Sequence, residues 1–396
     1  MRCVKILIAR MFYRIAYYLP VNSKVIVFES FFGKQYGCNP KAIYEYMVKN
    51  HPEYKMFWSV DERFIENFAG EQLQLIRRFS LKWIWVMSTS KYWITNCRMP
   101  MRIRKSNGTI YVQTWHGTPL KKLVFDLKEV HIPNTTTQNY KAEFYQESRR
   151  WDYLLSPNSY ASEIFTSAFC FDQKIIEYGY PRNDILYNGN DQTYIAQVKE
   201  KLGIPLAKKV ILYAPTWRDD EVHTTGGYKF DLPFDIAELQ KKYNGTHIVL
   251  LRMHYLIAEN FDLSSYDGFV YDFSIGVDIN ELYLISDLLI TDYSSVFFDY
   301  ANLKRPIIFY MYDIERYRDV LRGFYIEIEN EAPGPIVKTM TELVAFLDLL
   351  NQDGAYLDYK ERYQKFYDKY CYLEKGNSAK QVVSSVLLGY PNSHRE

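Results

Sequence analysis

The sequence predicts an α/β protein built from two doubly wound domains. Three observations carry this. Short apolar runs of strand length alternate with helical segments along the chain, the pattern that gives parallel sheets. A second series of such runs restarts at Lys209–Tyr213, after a Gly/Pro turn at Gly179–Pro181 and the hydrophilic stretch Asn188–Thr193. And 396 residues is long for one core, which makes two domains of roughly 150–200 residues the natural division.

Residues 2–19 read as a helix that Pro20 stops. At ~100° per residue, Val4, Leu7, Ile8, Met11, Phe12, Ile15, Tyr18 and Leu19 share one side, and Arg2, Lys5, Arg10 and Arg14 the other. A basic, two-faced helix of this kind suits an anionic membrane surface; packing of its apolar side on the domain is compatible with that. Lys24–Phe28 is a first strand. It leads into the Gly-bearing loop Glu29–Gly37, and Asn39-Pro40 then opens a helix to about Lys49. Tyr54–Val60 and Leu73–Ile76 are strands, Leu81–Ser88 a helix, and Tyr92–Thr95 and Thr109–Gln113 further strands. Trp151–Ser156, a helix to about Phe169 and the strand Lys174–Tyr178 close the first half. In the second half, Ile248–Leu251, Phe269–Asp272, Leu288–Ile290 and Ile307–Tyr310 are strands. Ile279–Ile285, the segment after Ser295, Met340–Leu350, Tyr356–Tyr370 and Ser378–Leu388 are helices.

Charge and composition narrow the function. The net charge of +1 disfavours nucleic-acid binding. The five cysteines are scattered and never spaced as CxxC, so they read as reduced thiols of a cytosolic protein without a zinc site. No apolar run approaches the ~18 residues that span a bilayer.

The chemistry-bearing residues recur at strand ends, where open α/β sheets bind ligands. His116 follows Thr109–Gln113, between Trp115 and Gly117. An imidazole there can take a proton from a hydroxyl, and Gly117 lets the backbone come close to a ligand. Thr216 and Arg218 follow Lys209–Tyr213, Arg252 and His254 follow Ile248–Leu251, and Asp292, Ser294 and Ser295 follow Leu288–Ile290. The serine pair sits where a helix N-cap belongs. That helix start suits a phosphate or diphosphate, although an ordinary capped helix has the same signature. Together these residues suit a diphosphate whose charge grows in a transition state. No DxD motif or carboxylate cluster stands ready for a metal, so no obligatory cofactor is expected; a divalent cation stays open as an auxiliary.

Several separated blocks, in order and over nearly the full length, resemble the CDP-glycerol glycerophosphotransferase family of teichoic acid synthesis. They are Phe28–Tyr36, Thr114–Leu123, Gly179–Asp184, Tyr213–Asp220, Leu251–His254, Thr291–Tyr300 and the late Gly323–Tyr325 and Pro333–Pro335. The resemblance implies a GT-B fold, with two Rossmann-like domains facing a central cleft. The expected divisions are a membrane-association helix over 1–20, an acceptor-side domain over 21–187, a CDP-donor domain over 188–370, and a C-terminal helix over 371–396 that returns to the first domain. It implies peripheral attachment to the cytoplasmic membrane face. The donor would be CDP-glycerol or CDP-ribitol, and the acceptor a saccharide or glycerol phosphate linked to undecaprenyl diphosphate. His116 would be the base, and His254 would contact the diphosphate. Ser294, Ser295, Arg252, Arg218 and Thr216 would hold the diphosphate, with Asp292, Gly117 and Asp184 in support. Tyr255 stands where the family usually has proline, a departure that touches the shape of that loop. A nucleotide-sugar glycosyltransferase on the same fold is the alternative reading.

Overall fold

The computed structural model describes residues 16–130, 135–216, 233–253, 263–317, 323–350 and 357–389. The proposed helix over 2–19 therefore lies almost wholly outside the described residues, as do Arg218 and His254. The chain divides into two compact units. The first comprises the chain up to His116, Gln138–Asp184, and the chain from Leu373; the second comprises Gly117–Thr137 and Ile185–Tyr372. One passage between the units thus falls at the His116–Gly117 peptide.

The first unit is built on strands β1 (Asn22–Glu29), β2 (Lys55–Val60), β3 (Leu75–Arg77), β4 (Ser90–Thr95), β5 (Ile110–Gln113), β6 (Tyr153–Ser156) and β7 (Lys174–Glu177). Among the described residues they form one parallel sheet in the order β3-β2-β1-β4-β5-β6-β7. The strands are Val-, Ile- and aromatic-rich because both faces of such a sheet are covered. Ile26, Phe28, Trp58, Ile94 and Val112 are fully buried in one core, which Val382, Val383 and Val386 of the C-terminal segment join. Asp184 anchors that segment: its carboxylate accepts the backbone N–H of Ser378 and of Ala379, both at 2.8 Å. These donors open the helix Ser378–Val382, so the contact is an N-cap supplied from a distant segment.

The second unit carries β8 (Lys209–Ala214), β9 (His247–Leu251), β10 (Val270–Asp272), β11 (Leu288–Thr291), β12 (Ile307–Tyr310) and β13 (Ile336–Val337). These pair in parallel in the order β10-β9-β8-β11-β12-β13 among the described residues. Mixed α/β architecture with two parallel sheets is therefore the fold. In both sheets the strand order reverses direction beside the first strand, between β1 and β4 and between β8 and β11. Open α/β sheets bind ligands at such points, at the carboxyl ends of the strands.

The elements differ from the sequence reading in a few places. The two-residue β13 is too short to show a period. The helices Thr137–Ser148 and Gln192–Lys201 bury few apolar side chains, among them Phe144 and Val198, so no apolar stripe announces them. The C-terminal helix is α-helical only to Val382 and widens into a π-type turn over Val383–Leu387. The helix after Ser295 spans only Val296–Tyr300. It tightens into a 3-10 turn over Ala301–Leu303, which Lys304 ends in the left-handed region at φ 54°.

Candidate active site

In the first unit the site grows from the ends of three neighbouring strands. β1 runs into Ser30 and Phe31, β4 into Asn96, and β5 into Thr114–His116. The loop after β1 closes on itself through Ser30 Oγ, which donates to the carbonyl of Gly37 at 2.7 Å. Gly33 takes φ 79°, and a Cβ there would stand 2.7 Å from the backbone nitrogen of Asp61, so only glycine fits. Phe31, Phe32, Cys38 and Trp115 also adopt positive φ. For residues with side chains this costs about 1–2 kcal/mol each, and strain held this way tends to gather where function fixes geometry.

Asn39 and Asn96, both fully buried, lock these loops together. Asn39 Nδ2 donates to the carbonyls of Thr114 (3.1 Å) and Trp115 (3.2 Å), and its Oδ1 accepts the backbone N–H of Arg182 at 3.2 Å. Asn96 Oδ1 accepts the backbone N–H of Phe31 at 2.8 Å. The Asn96 carbonyl lies 2.8 Å from His116 Nδ1. A carbonyl can only accept, so Nδ1 carries the proton and Nε2 keeps its lone pair. The ring stacks on Trp115 with centroids 4.5 Å apart and meets Phe31 edge-on. Trp115 is itself held by Phe165 and Phe169. Arg182 Nη1 donates to the His116 carbonyl at 2.6 Å.

This setting keeps the His116 imidazole neutral. Burial pulls its pKa down to about 4, with the Arg182 charge adding to the effect and the Asn96 hydrogen bond opposing it. Asn39, Asn96 and Arg182 were not singled out from sequence as site residues. They act through backbone atoms of remote segments, which leaves no local signature; the Gly179–Asp184 block that contains Arg182 was the one available signal.

In the second unit, Thr216, Arg252 and Asp292 follow β8, β9 and β11, which are adjacent. Thr291 pairs with Ala214 and Tyr213 with Leu251. Asp292 is buried, and its Oδ1 accepts the backbone N–H of Thr216 at 2.7 Å. Arg252 donates through Nη1 to the carbonyl of Phe273 at 2.5 Å. Burial lowers its pKa, against the opposing charges of Asp278 and Asp272. Ser274, which sequence reasoning missed, ties the next loop in: its Oγ accepts the Met253 N–H at 2.9 Å. Ser294 and Ser295 stay partly exposed at the start of Val296–Tyr300, and Ser295 makes no side-chain capping bond. Gly117 packs on this turn, where a Cβ would meet Ser295 Oγ at 2.9 Å. The segment after Gly117 is stitched down. Lys121 bridges Phe324 in antiparallel fashion, and Tyr325 N–H donates to the Leu120 carbonyl at 2.9 Å. Tyr293 stacks on Tyr317, at 4.0 Å, and on Phe324. The structure thus brings the blocks at Gly117–Leu123, Thr291–Tyr300 and Gly323–Tyr325 into one cluster. Asp184 belongs to the C-terminal helix contact described above. Among the described residues, no group of three or more His, Cys, Asp or Glu side chains is arranged to hold a metal ion.

Comparison with known proteins adds a family. The sequence model described as CDP-Glycerol:Poly(glycerophosphate) glycerophosphotransferase matches residues 11–388. A teichoic acid poly(glycerol phosphate) polymerase of Bacillus subtilis is 55% identical over 371 residues, 93% of this chain but 49% of that protein. One of Bacillus spizizenii is 52% identical over 95% of both chains. A solved structure of the wall teichoic acid polymerase TagF superposes with a TM-score of 0.90 at 43% identity, covering 98% of this chain and 96% of that one. A poly(ribitol-phosphate) polymerase of Bacillus spizizenii is more distant, at 28%. The chain therefore spans about half of the Bacillus subtilis relative and nearly all of the Bacillus spizizenii one.

Proposed function

Because the chain belongs to the CDP-glycerol:poly(glycerophosphate) glycerophosphotransferase family, we propose that it transfers glycerol phosphate from CDP-glycerol to a hydroxyl of a teichoic acid chain. The acceptor oxygen attacks the distal phosphorus of the donor, the bond from that phosphorus to the bridging oxygen breaks, and CMP leaves. His116 Nε2 takes the hydroxyl proton. The single observation that carries this assignment is the Nδ1 contact with the Asn96 carbonyl, which leaves Nε2 as the free base. In this reading the units are the two Rossmann-like halves of a GT-B enzyme. The loops of Thr216, Arg218, Arg252, His254, Ser294 and Ser295 serve the donor diphosphate, offsetting charge that grows as CMP departs. No metal is required, and a divalent cation would be auxiliary.

The glycerol donor is favoured over ribitol because the similarity to glycerol-phosphate polymerases is far greater than that to the ribitol-phosphate one. The acceptor is linked to undecaprenyl diphosphate, and the enzyme meets it at the cytoplasmic membrane face through the basic segment 2–19. Among the described residues no helix is long and apolar enough to cross a membrane.

The test is His116→Ala assayed for CMP release with CDP-glycerol, CDP-ribitol and a UDP-sugar as donors. Loss of about 10²–10⁴-fold with an unchanged melting temperature is expected for a general base. Turnover like that of the wild type would end the assignment, and turnover with a UDP-sugar alone would replace the reaction.

A further inference from the structure

Residues 77–108 contain eight Lys or Arg and no Asp or Glu, in a chain whose net charge is only +1. This run includes the helix Leu81–Thr89 and the loop that joins β4 to β5. The helix buries Trp83, Ile84 and Met87 and turns Leu81 (53% exposed), Lys82 and Trp85 (49% exposed) outward. Those three positions, one turn apart, share a face. Beside them Phe79 is 41% exposed, and the Arg102 guanidinium lies over its ring at 3.8 Å. Around Arg102 the chain alternates: Met101, Arg102 and Arg104 are exposed while Ile103 is buried. Ser106 Oγ ties this loop to the helix end at the Ser88 carbonyl (2.8 Å) and to the Tyr17 carbonyl (3.3 Å). Tyr17 OH donates to Asn107 Oδ1 at 2.7 Å, and Tyr18 next to it is 79% exposed.

Exposed large apolar side chains normally occur singly; a group of them marks a binding surface. Two features decide what binds. Among the described residues no carboxylate pairs with Lys82, Arg102 or Arg104, whereas Arg77, Arg78 and Lys105 of the same run pair with Glu62, Glu29 and Asp152, so the charge left over on this surface is positive. Aromatic and aliphatic side chains interleaved with cations match a bilayer interface, where rings enter the headgroup layer and cations meet lipid phosphates. The described chain also enters this surface at Tyr17, directly after the basic segment 2–15.

We propose that the surface formed by Phe79, Leu81, Trp85, Met101, Arg102 and Arg104 docks on anionic phospholipid, as a second contact beside the N-terminal segment. This deepens the membrane reading given above. It gives the first unit a fixed face toward the bilayer, whereas a contact at the terminal segment alone would leave its rotation about the anchor unconstrained.

The experiment is co-sedimentation of the full chain with vesicles of phosphatidylcholine alone or mixed with phosphatidylglycerol. Three variants are compared with the wild type: Leu81→Glu/Trp85→Glu, Arg102→Ala/Arg104→Ala, and Leu7→Glu/Met11→Glu in the terminal segment. Leu81, Arg102 and Arg104 are exposed and Trp85 is half exposed, so melting temperatures are read beside binding and only variants that melt like the wild type are scored. Each surface variant should bind the mixed vesicles at least about tenfold more weakly, and wild-type binding should fall as salt rises. Surface variants that bind like the wild type while Leu7→Glu/Met11→Glu loses binding would overturn this proposal and leave the membrane reading standing. A wild type that binds neither vesicle would remove both. If the surface variants instead convert a dimer to a monomer in sedimentation velocity with vesicle binding unchanged, the occupant is a second copy of the chain and the lipid proposal fails.

Discussion

The points where the two sheets reverse their strand order share a lock and differ in its charge. In each, a side-chain oxygen from the loop after the fourth strand accepts a backbone N–H from the loop after the first. In the first unit this is Asn96 Oδ1 with Phe31, at 2.8 Å; in the second it is Asp292 Oδ1 with Thr216, at 2.7 Å. The geometry is the same, since one short side-chain acceptor suffices to clip two neighbouring strand ends together. The chemistry is different. Asn96 is neutral, and its main-chain carbonyl accepts from His116 Nδ1. Asp292 carries a carboxylate in a loop set that also presents Arg252.

The largest effect should come from giving the first lock the charge of the second. Asn96→Asp keeps the acceptor but buries a carboxylate at a fully inaccessible position, which should cost about 3 kcal/mol of stability. The same charge favours the protonated imidazole, so His116 should titrate well above its value of about 4. The acidic limb of kcat/KM for CMP release would then move toward neutral pH. A variant of wild-type stability and an unmoved limb would mean that the neutral amide has no electrostatic role.

Removing a cation from the same centre should do less. Burial is the main cause of the depressed His116 pKa and the Arg182 charge a smaller one, so Arg182→Gln should raise the acidic limb by no more than about one pH unit. The sign follows from linkage. The folded chain holds His116 neutral where the unfolded chain would protonate it. The stability this preserves is fully present above the unfolded value near 6.5, and is lost as pH falls toward about 4. Arg182→Gln should therefore soften acid destabilisation slightly, measured as melting temperature between pH 7 and pH 4. Because it also removes the 2.6 Å bond to the His116 carbonyl, kcat should drop by about tenfold at neutral pH. A steeper acid loss than in the wild type would reverse the assigned role.

How much of this could be read from the sequence follows from which atoms do the work. The strands were legible because runs such as Lys24–Phe28 and Lys209–Tyr213 are β-branched and buried on both faces. His116 was legible because an imidazole between Trp115 and Gly117 at a strand end is an unusual composition. Asn39 read only as a helix opener and Arg182 only as part of a turn, since both act on the backbone of segments more than sixty residues away. The stack of Tyr293 on Tyr317 and Phe324 is likewise tertiary, with no period to betray it. Asp184 shared a block with Arg182 and so read as a site residue, yet its carboxylate caps the helix at Ser378; proximity in sequence does not separate two side chains that point to different elements.

Gly117 offers the smallest and most local contrast, because its need for glycine is one of space and not of backbone angle. The added methyl of Gly117→Ala would stand 2.9 Å from Ser295 Oγ but 3.7 Å from Ser295 Cβ. The obstacle is a single hydroxyl that can rotate aside, so the cost should be about 1 kcal/mol, a fall of roughly 2–4 °C in melting temperature for a domain of this size. In a Ser295→Ala background the hydroxyl is gone, and Gly117→Ala should cost close to nothing. The coupling read from this double-mutant cycle should match the single-mutant loss. An equal penalty in both backgrounds would mean that Gly117 is kept for some other reason than the close approach of the serine turn.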